Sequence, residues 1–265
     1  MQRDGIAYIF TVAGTVCAVC ALFVSAAAIG LKTQQEYWVQ VDTQRNILLA
    51  AAADDAERES FKKMTGAEVN DFFSKNFSKI IIDLTTGEDV SSEYTEEKKL
   101  AFRQIEVAEL RKAGQYTDIP ADKDLGQIKR RENHSHVYIR TDSTQRYVFP
   151  VRGKGLWSTL KGFLALQPDL KTAAYLTYYS HAETPGLGGE VDNLGWRSRW
   201  NGKVLFDESG NVALTVVKGE ATTDTQVDGL SGATITSKGV ENMLRYWMGD
   251  QGFGPYLSRV RQEKL

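Results

Sequence analysis

The chain has 265 residues, room for one sizeable domain plus an anchor, and a formal net charge of −2. No basic patch accompanies that balance, so a nucleic-acid partner is not expected. Its two cysteines, Cys17 and Cys20, both lie in the apolar N-terminal run, which excludes a disulfide framework or a thiolate metal site from everything that follows.

Gly5 to Leu31 holds no charged residue and exceeds the roughly 20 residues a helix needs to cross a bilayer. Ser25-Ala26-Ala27-Ala28 resembles a signal-peptide cleavage site. The apolar run is long, however, and only Arg3, offset by Asp4, precedes it, so a single transmembrane helix is expected. Ala13, Cys17, Ala21 and Ser25 recur every fourth residue, a small-residue stripe that lets another helix approach in lipid. Arg3 on one side and Lys32 and Arg45 on the other leave the orientation open. Gln34 to Ala53 predicts a continuing helix, with Tyr37 and Trp38 where an interfacial aromatic belt falls.

Thr65-Gly66-Ala67-Glu68 reads as a capping box opening a helix with Val69, Phe72 and Phe73. Ile80 to Leu84 predicts a strand, Glu96 to Ala113 a charged helix, and Pro120 to Arg131 a loop or short helix. From His136 the pattern turns to strands. Three hairpins are expected: Val137–Arg140 with Arg146–Val151, Leu160–Leu166 with Thr172–Tyr179, and Lys203–Phe206 with Val212–Val217. A short helix, about Glu190 to Trp200, separates the second from the third. The fold class is therefore α+β: one transmembrane helix, then an antiparallel sheet with flanking helices. Its parts are an anchor at 1–33, a helical or mixed membrane-proximal part at 34–133, and a ligand-binding domain at 134–265. His134 and His136 share a strand face but have no companion ligands in sequence, so no metal site is expected.

After a disordered-looking polar run, Glu220 to Gln226, comes Asp228-Gly229-Leu230-Ser231-Gly232-Ala233-Thr234-Ile235-Thr236-Ser237. It precedes an amphipathic helix marked by Val240, Met243, Leu244 and Trp247. With Thr236 or Ser237 as N-cap, Ser231 to Thr234 sit just ahead of a helix N-terminus. Unpaired N–H groups and the helix dipole favour an anion there, a phosphate above all. The ordinary role of such residues is a cap and a turn.

Asp228-Gly229-Leu230-Ser231-Gly232-Ala233-Thr234 resembles the flavinylation motif of the FMN-binding domain family. The resemblance implies FMN joined through its phosphate to Thr234 by a separate flavin transferase. Gly153-Lys154-Gly155-Leu156-Trp157, Glu183-Thr184-Pro185-Gly186-Leu187-Gly188-Gly189-Glu190 and Trp247-Met248-Gly249-Asp250 are similar to one branch of that family. Members of that branch serve membrane redox pumps that oxidise NADH and reduce ubiquinone while exporting sodium. The likeness runs from about Val148 to Leu265, with the N-terminal apolar helix in the expected place; Ala50 to Asn133 fits loosely. It implies a subunit of a translocase that relays electrons between an iron–sulfur carrier and a flavin on a neighbouring subunit. Such a subunit has no catalytic residues or complete active site of its own. Its partners are the other membrane subunits, the transferase and membrane lipid. It is anchored in the bacterial inner membrane with its domain on the periplasmic side. The corresponding subunit of a ferredoxin:NAD oxidoreductase pump, an anchored flavin-binding regulatory module and a cofactor-free anchored domain are the alternatives.

A flavin needs donors for its phosphate, apolar walls for its ring and hydrogen bonds along its polar edge. Ser231, Gly232, Ala233, Thr234 and Thr236 supply the first, with Asp228 supporting the motif. The bend through Glu183, Thr184, Gly186, Leu187 and Gly188 is expected to lie along the ring, with Leu187 over one face. Trp157 is positioned to stack, and Lys218 to offset negative charge.

Overall fold

The computed structural model describes residues 5–94 and 116–263; the helix expected at Glu96 to Ala113 lies outside them. The chain divides into two compact units, Met1–Thr43 and Gln44–Leu265.

Most of the first unit belongs to one helix. Where the sequence suggests an apolar helix followed by a polar one, α1 runs unbroken over Ile6–Ala51, 46 residues. At about 1.5 Å per residue that is longer than the roughly 30 Å hydrocarbon core of a bilayer. Ile9, Phe10, Leu22, Phe23 and Ile29 are exposed, as lipid-facing side chains are, and Tyr37 meets Trp38 edge to face. Among the described residues this is the one helix long and apolar enough to cross a membrane.

In the second unit, α2 (Asp55–Lys63) and α3 (Gly66–Asn76) lead into a five-stranded sheet. The capping box at α3 forms as read: Glu68 N–H donates to Thr65 Oγ1, and Glu68 Oε2 accepts from Thr65 N–H. The strands are β1 (Phe77–Asp83), β4 (His134–Arg140), β5 (Arg146–Lys154), β6 (Thr159–Leu166) and β7 (Ala173–Ser180), in that spatial order and antiparallel throughout. Two of the three expected hairpins are therefore present. Because β1 pairs with β4 along its whole length, the sheet draws on both sides of position 133. Between these strands, β2 (Tyr116–Asp118) and β3 (Arg130–Glu132) make a small ribbon.

Alternation along the strands divides the core. Tyr147, Phe149, Val151, Leu164 and Leu166 face α5 (Thr234–Met248) and α6 (Gly254–Glu263). Val148, Phe163 and Ala165 face the other way, against Ile47, Ala50 and Ala51 at the end of α1. Period-two patterning of this kind places one strand between two apolar layers.

The third expected hairpin does not form. A single bridge joins Phe206 to Val212. Leu205 O then accepts from both Ala213 and Leu214 N–H, and the chain turns away. β8 (Thr215–Val217) instead pairs in parallel with β9 (Gln226–Asp228), and the α5 side chain Glu241 takes the Val216 N–H at 2.9 Å. The helix expected from Glu190 to Trp200 is a 3₁₀ turn, Gly188–Asp192, followed by the short α4, Leu194–Ser198. Asn193 restarts it by capping Gly195 N–H and Trp196 N–H. The polar run before β9 is ordered by local acceptors: Asp228 Oδ1 takes Ala221 N–H, and Gln226 Oε1 takes Thr222 N–H.

Candidate functional site

The helix behind the motif is held by its apolar stripe. Val240, Met243, Leu244 and Trp247 are fully buried against the sheet, and Trp247 Nε1–H donates to Arg152 O at 2.7 Å. Its start differs from the sequence reading. α5 begins at Thr234, with Ala233 at the cap and no side-chain capping bond. Thr236 and Ser237 are not caps, because both hydroxyls are engaged inward. Thr236 Oγ1–H donates to Glu183 Oε2 at 2.7 Å, and Ser237 Oγ accepts Leu230 N–H at 2.8 Å. Gly232, at φ +73°, makes the turn that brings the chain into the helix.

The consequence is an open helix end. The first intrahelical bond is Ser237 N–H to Ala233 O, and among the described residues no acceptor meets the N–H groups of Thr234, Ile235 and Thr236. Ser231, Gly232 and Thr234 are exposed beside them, whereas Ala233 is buried. Orphan donors, an open hydroxyl and the positive end of a 15-residue helix suit a phosphate.

Apolar side chains stand exposed close by: Trp157 at 68%, Ile235 at 60%, Leu187 at 45% and Leu156 at 39%. Leu187 reaches Gly232 so closely that a Cβ there would lie 3.0 Å from its Cδ2. Thr184 and Gly186 are exposed in the same bend, and Thr184 O accepts from Leu187 and Gly189 N–H. Gly188 is different. It is buried, and a Cβ on it would lie 2.6 Å from Thr236 Oγ1 and 2.8 Å from Glu183 Oε2. Its missing side chain makes room for that carboxylate.

Glu183 is the centre of the arrangement. It is 5% exposed. Oε1 accepts from Trp157 N–H, Ser158 N–H and Ser158 Oγ–H, each at 3.0 Å. Oε2 accepts from Leu156 N–H at 3.1 Å and from Thr236 Oγ1–H at 2.7 Å. Burial pushes its pKa up, but the bonds from Thr236, Ser158, Trp157 and Leu156 together outweigh burial and hold it at about 2.

Asp228 pairs with Arg199, accepts Ala221 N–H, and through its carbonyl accepts Trp196 Nε1–H at 2.8 Å. It thereby fixes the turn that leads into the motif. Lys218 is exposed just after β8, where Val217 pairs with Asp228. Ser158, Trp196 and Arg199 do not stand out in the sequence, since nothing local ties them to the motif. The histidines do not converge on a metal: His134 Nδ1 meets the Tyr94 hydroxyl at 2.6 Å and its ring faces Asp83, while His136 is buried. Among the described residues no group of three or more metal-ligating side chains occurs.

An open helix start, an unencumbered hydroxyl and exposed apolar walls on an antiparallel sheet define a domain built to present a phosphate-bearing cofactor, and residues 155–249 match the FMN-binding domain family. The chain is 41% identical over 259 residues to the NqrC subunit of the Na(+)-translocating NADH-quinone reductase of Pseudomonas aeruginosa, covering 95% of this chain and 94% of that protein. It is 37% identical to the protein of the same name from Yersinia pestis, covering 100% and 96%. The crystal structure of Shewanella oneidensis NqrC superposes with a TM-score of 0.70 at 32% identity, covering 83% of this chain and 96% of that one. The chain belongs to the NqrC family of Na(+)-translocating NADH-quinone reductase subunits.

Proposed function

We propose that this chain is the electron-relay subunit of a sodium-translocating NADH:ubiquinone oxidoreductase, a multi-subunit translocase, and that it carries FMN esterified through its phosphate to Thr234 Oγ1. One observation carries the reading. Of the hydroxyls at the start of α5, those of Thr236 and Ser237 are buried and bonded inward, while Thr234 is exposed beside three unbonded N–H groups. Those N–H groups and the helix dipole hold the phosphate. Leu187, Ile235 and Trp157 offer apolar surface to the ring, and Lys218 adds positive charge nearby. Bound FMN supplies one- and two-electron redox chemistry.

A covalently held cofactor needs no deep pocket, and the exposed rim fits electron exchange between proteins rather than capture of a small substrate. The electron donor in this reading is an iron–sulfur carrier, and the acceptor a flavin on a neighbouring subunit of the complex. A flavin transferase installs the cofactor. α1 anchors the chain among lipids of the bacterial inner membrane, with the domain on the periplasmic side. The division into an anchor at 1–33, a membrane-proximal part at 34–133 and an FMN-binding domain at 134–265 belongs to the same proposal.

The test is the intact mass of the chain produced together with a flavin transferase, followed by mapping of the peptide spanning residues 228–240. The expected result is one FMN ester on Thr234, visible as in-gel fluorescence and abolished in Thr234→Val. An unmodified peptide from the co-produced wild-type chain overturns the reading. Retained fluorescence in Thr234→Val moves the attachment to Ser231, the other exposed hydroxyl of the motif.

A further inference from the structure

We infer that Glu183 is a positioning residue for the FMN site: its buried carboxylate fixes the loop that carries Trp157, the bend that carries Leu187 and the helix turn that carries Thr234 in one mutual geometry. The inference rests on the FMN reading and assigns Glu183 a role distinct from contact with the cofactor.

The hydrogen bonds make the distinction. A carboxylate offers about four lone-pair sites, and Glu183 already receives five donors: Leu156 N–H, Trp157 N–H, Ser158 N–H, Ser158 Oγ–H and Thr236 Oγ1–H. No acceptor capacity is left for a ligand, and at 5% exposure it has almost no surface to offer one. Its partners, by contrast, belong to three chain segments that meet only here. The 156–158 loop closes β5 onto β6, Glu183 itself opens the bend that ends in the 3₁₀ turn, and Thr236 lies in the first turn of α5. Each segment also carries one of the exposed groups around the helix start: Trp157, Leu187 and Thr234.

Two glycines support the same conclusion. A Cβ on Gly155 would lie 2.7 Å from Glu183 Oε1, and one on Gly188 2.8 Å from Oε2. The backbone on either side of the carboxylate is thus kept bare where the carboxylate must pass. The residue is itself steadied from behind: its N–H donates to His181 Nδ1, and His181 Nε2 meets Asp192 at 2.8 Å. None of the five donors titrates near neutral pH, so the knot does not open with modest pH change.

The experiment uses the full chain in detergent, both flavin-free and after co-production with a flavin transferase, as wild type, Glu183→Gln and Thr236→Val. In the flavin-free chain, Glu183→Gln is expected to speed amide exchange at 156–158 and at the start of α5 while leaving α2 and α3 unchanged. In the matured chain, Glu183→Gln is expected to keep the flavin mass. Its visible circular dichroism and fluorescence anisotropy should fall toward those of free FMN, and Thr236→Val should reproduce the change in part. A purely structural role would lower the melting temperature and leave those flavin signals at their wild-type values. Unchanged exchange at 156–158 in the flavin-free variant, or an unchanged flavin signal in a matured one, overturns the inference. A wild-type chain that never gains the flavin mass overturns the FMN reading instead, and the two failures are separable. If Glu183→Gln does not fold, Ser158→Ala, which removes a single donor, is read in the same way.

Discussion

Arg140 and Glu183 are both almost wholly buried, and each ties three segments of chain together, yet they do so with opposite partners. The Arg140 guanidinium spans Asp142 in the β4–β5 turn, Glu57 in α2 and the Ala51 carbonyl at the end of α1. It lies near the rings of Phe61 and Phe72. Its principal partners are charged, and each is about a quarter exposed. Glu183 gathers neutral donors, most of them backbone N–H groups of a single loop. A charge paired with charges holds elements of the scaffold together. A charge fed by backbone donors sets the path of the backbone itself, which is what a site made of loops requires.

Removing the cation should have the largest effect on stability. Arg140→Met leaves Glu57 and Asp142 facing each other without their counter-ion. Breaking a buried pair costs about 3–5 kcal/mol, and the partial exposure of both carboxylates puts this case near 3 kcal/mol. Urea unfolding of the matured chain should show that loss with the flavin's visible dichroism intact in the folded baseline. A simultaneous loss of the flavin signal would mean that the two knots are coupled and that the contrast between them fails.

Gly155→Ala tests the other knot without changing any charge. The new methyl would lie 2.7 Å from Glu183 Oε1. The end of a glutamate can ordinarily swing aside, but five donors hold this one, so overpacking should cost about 2 kcal/mol. The flavin dichroism should change along with stability, the reverse of the Arg140→Met pattern. A stability loss with unaltered dichroism would mean that the loop relaxes without moving Trp157.

What the sequence could reveal follows from the range of the interactions. The α3 capping box joins residues three positions apart, and the two hairpins that form are closed by short turns. Both are local and both were legible. Thr234 was legible through the motif that contains it. The Glu183 knot was not, because its partners lie 25 to 53 positions away. The same distance explains the misassigned cap. Thr236 has the right residue type at the right place, but Glu183, remote in sequence, claims its hydroxyl. The third hairpin failed for a similar reason: Glu241, 25 positions on, takes the Val216 N–H that a local partner would have used.

Acid should have the smallest effect and probes the same contrast. Burial raises the pKa of Glu57 and Asp142, but Arg140 and backbone donors outweigh it and hold both below their ordinary values of 4.5 and 3.8. Glu183 is held at about 2. A carboxylate depressed in the folded state contributes stability that is complete well above its unfolded pKa and is lost as pH falls toward the folded value. At pH 4.5 the unfolded glutamate is half protonated while the folded one is still ionised, so each glutamate forfeits no more than about 0.4 kcal/mol, and the more exposed Glu57 less after solvent screening. A small loss of stability between pH 7 and 4.5 is therefore expected, with amide protection at 156–158 unchanged because the Glu183 carboxylate keeps its charge. Loss of that protection at pH 4.5, in exchange data corrected for the intrinsic pH dependence, would mean that Glu183 titrates with ordinary carboxylates and that its donors do not hold it as the geometry requires.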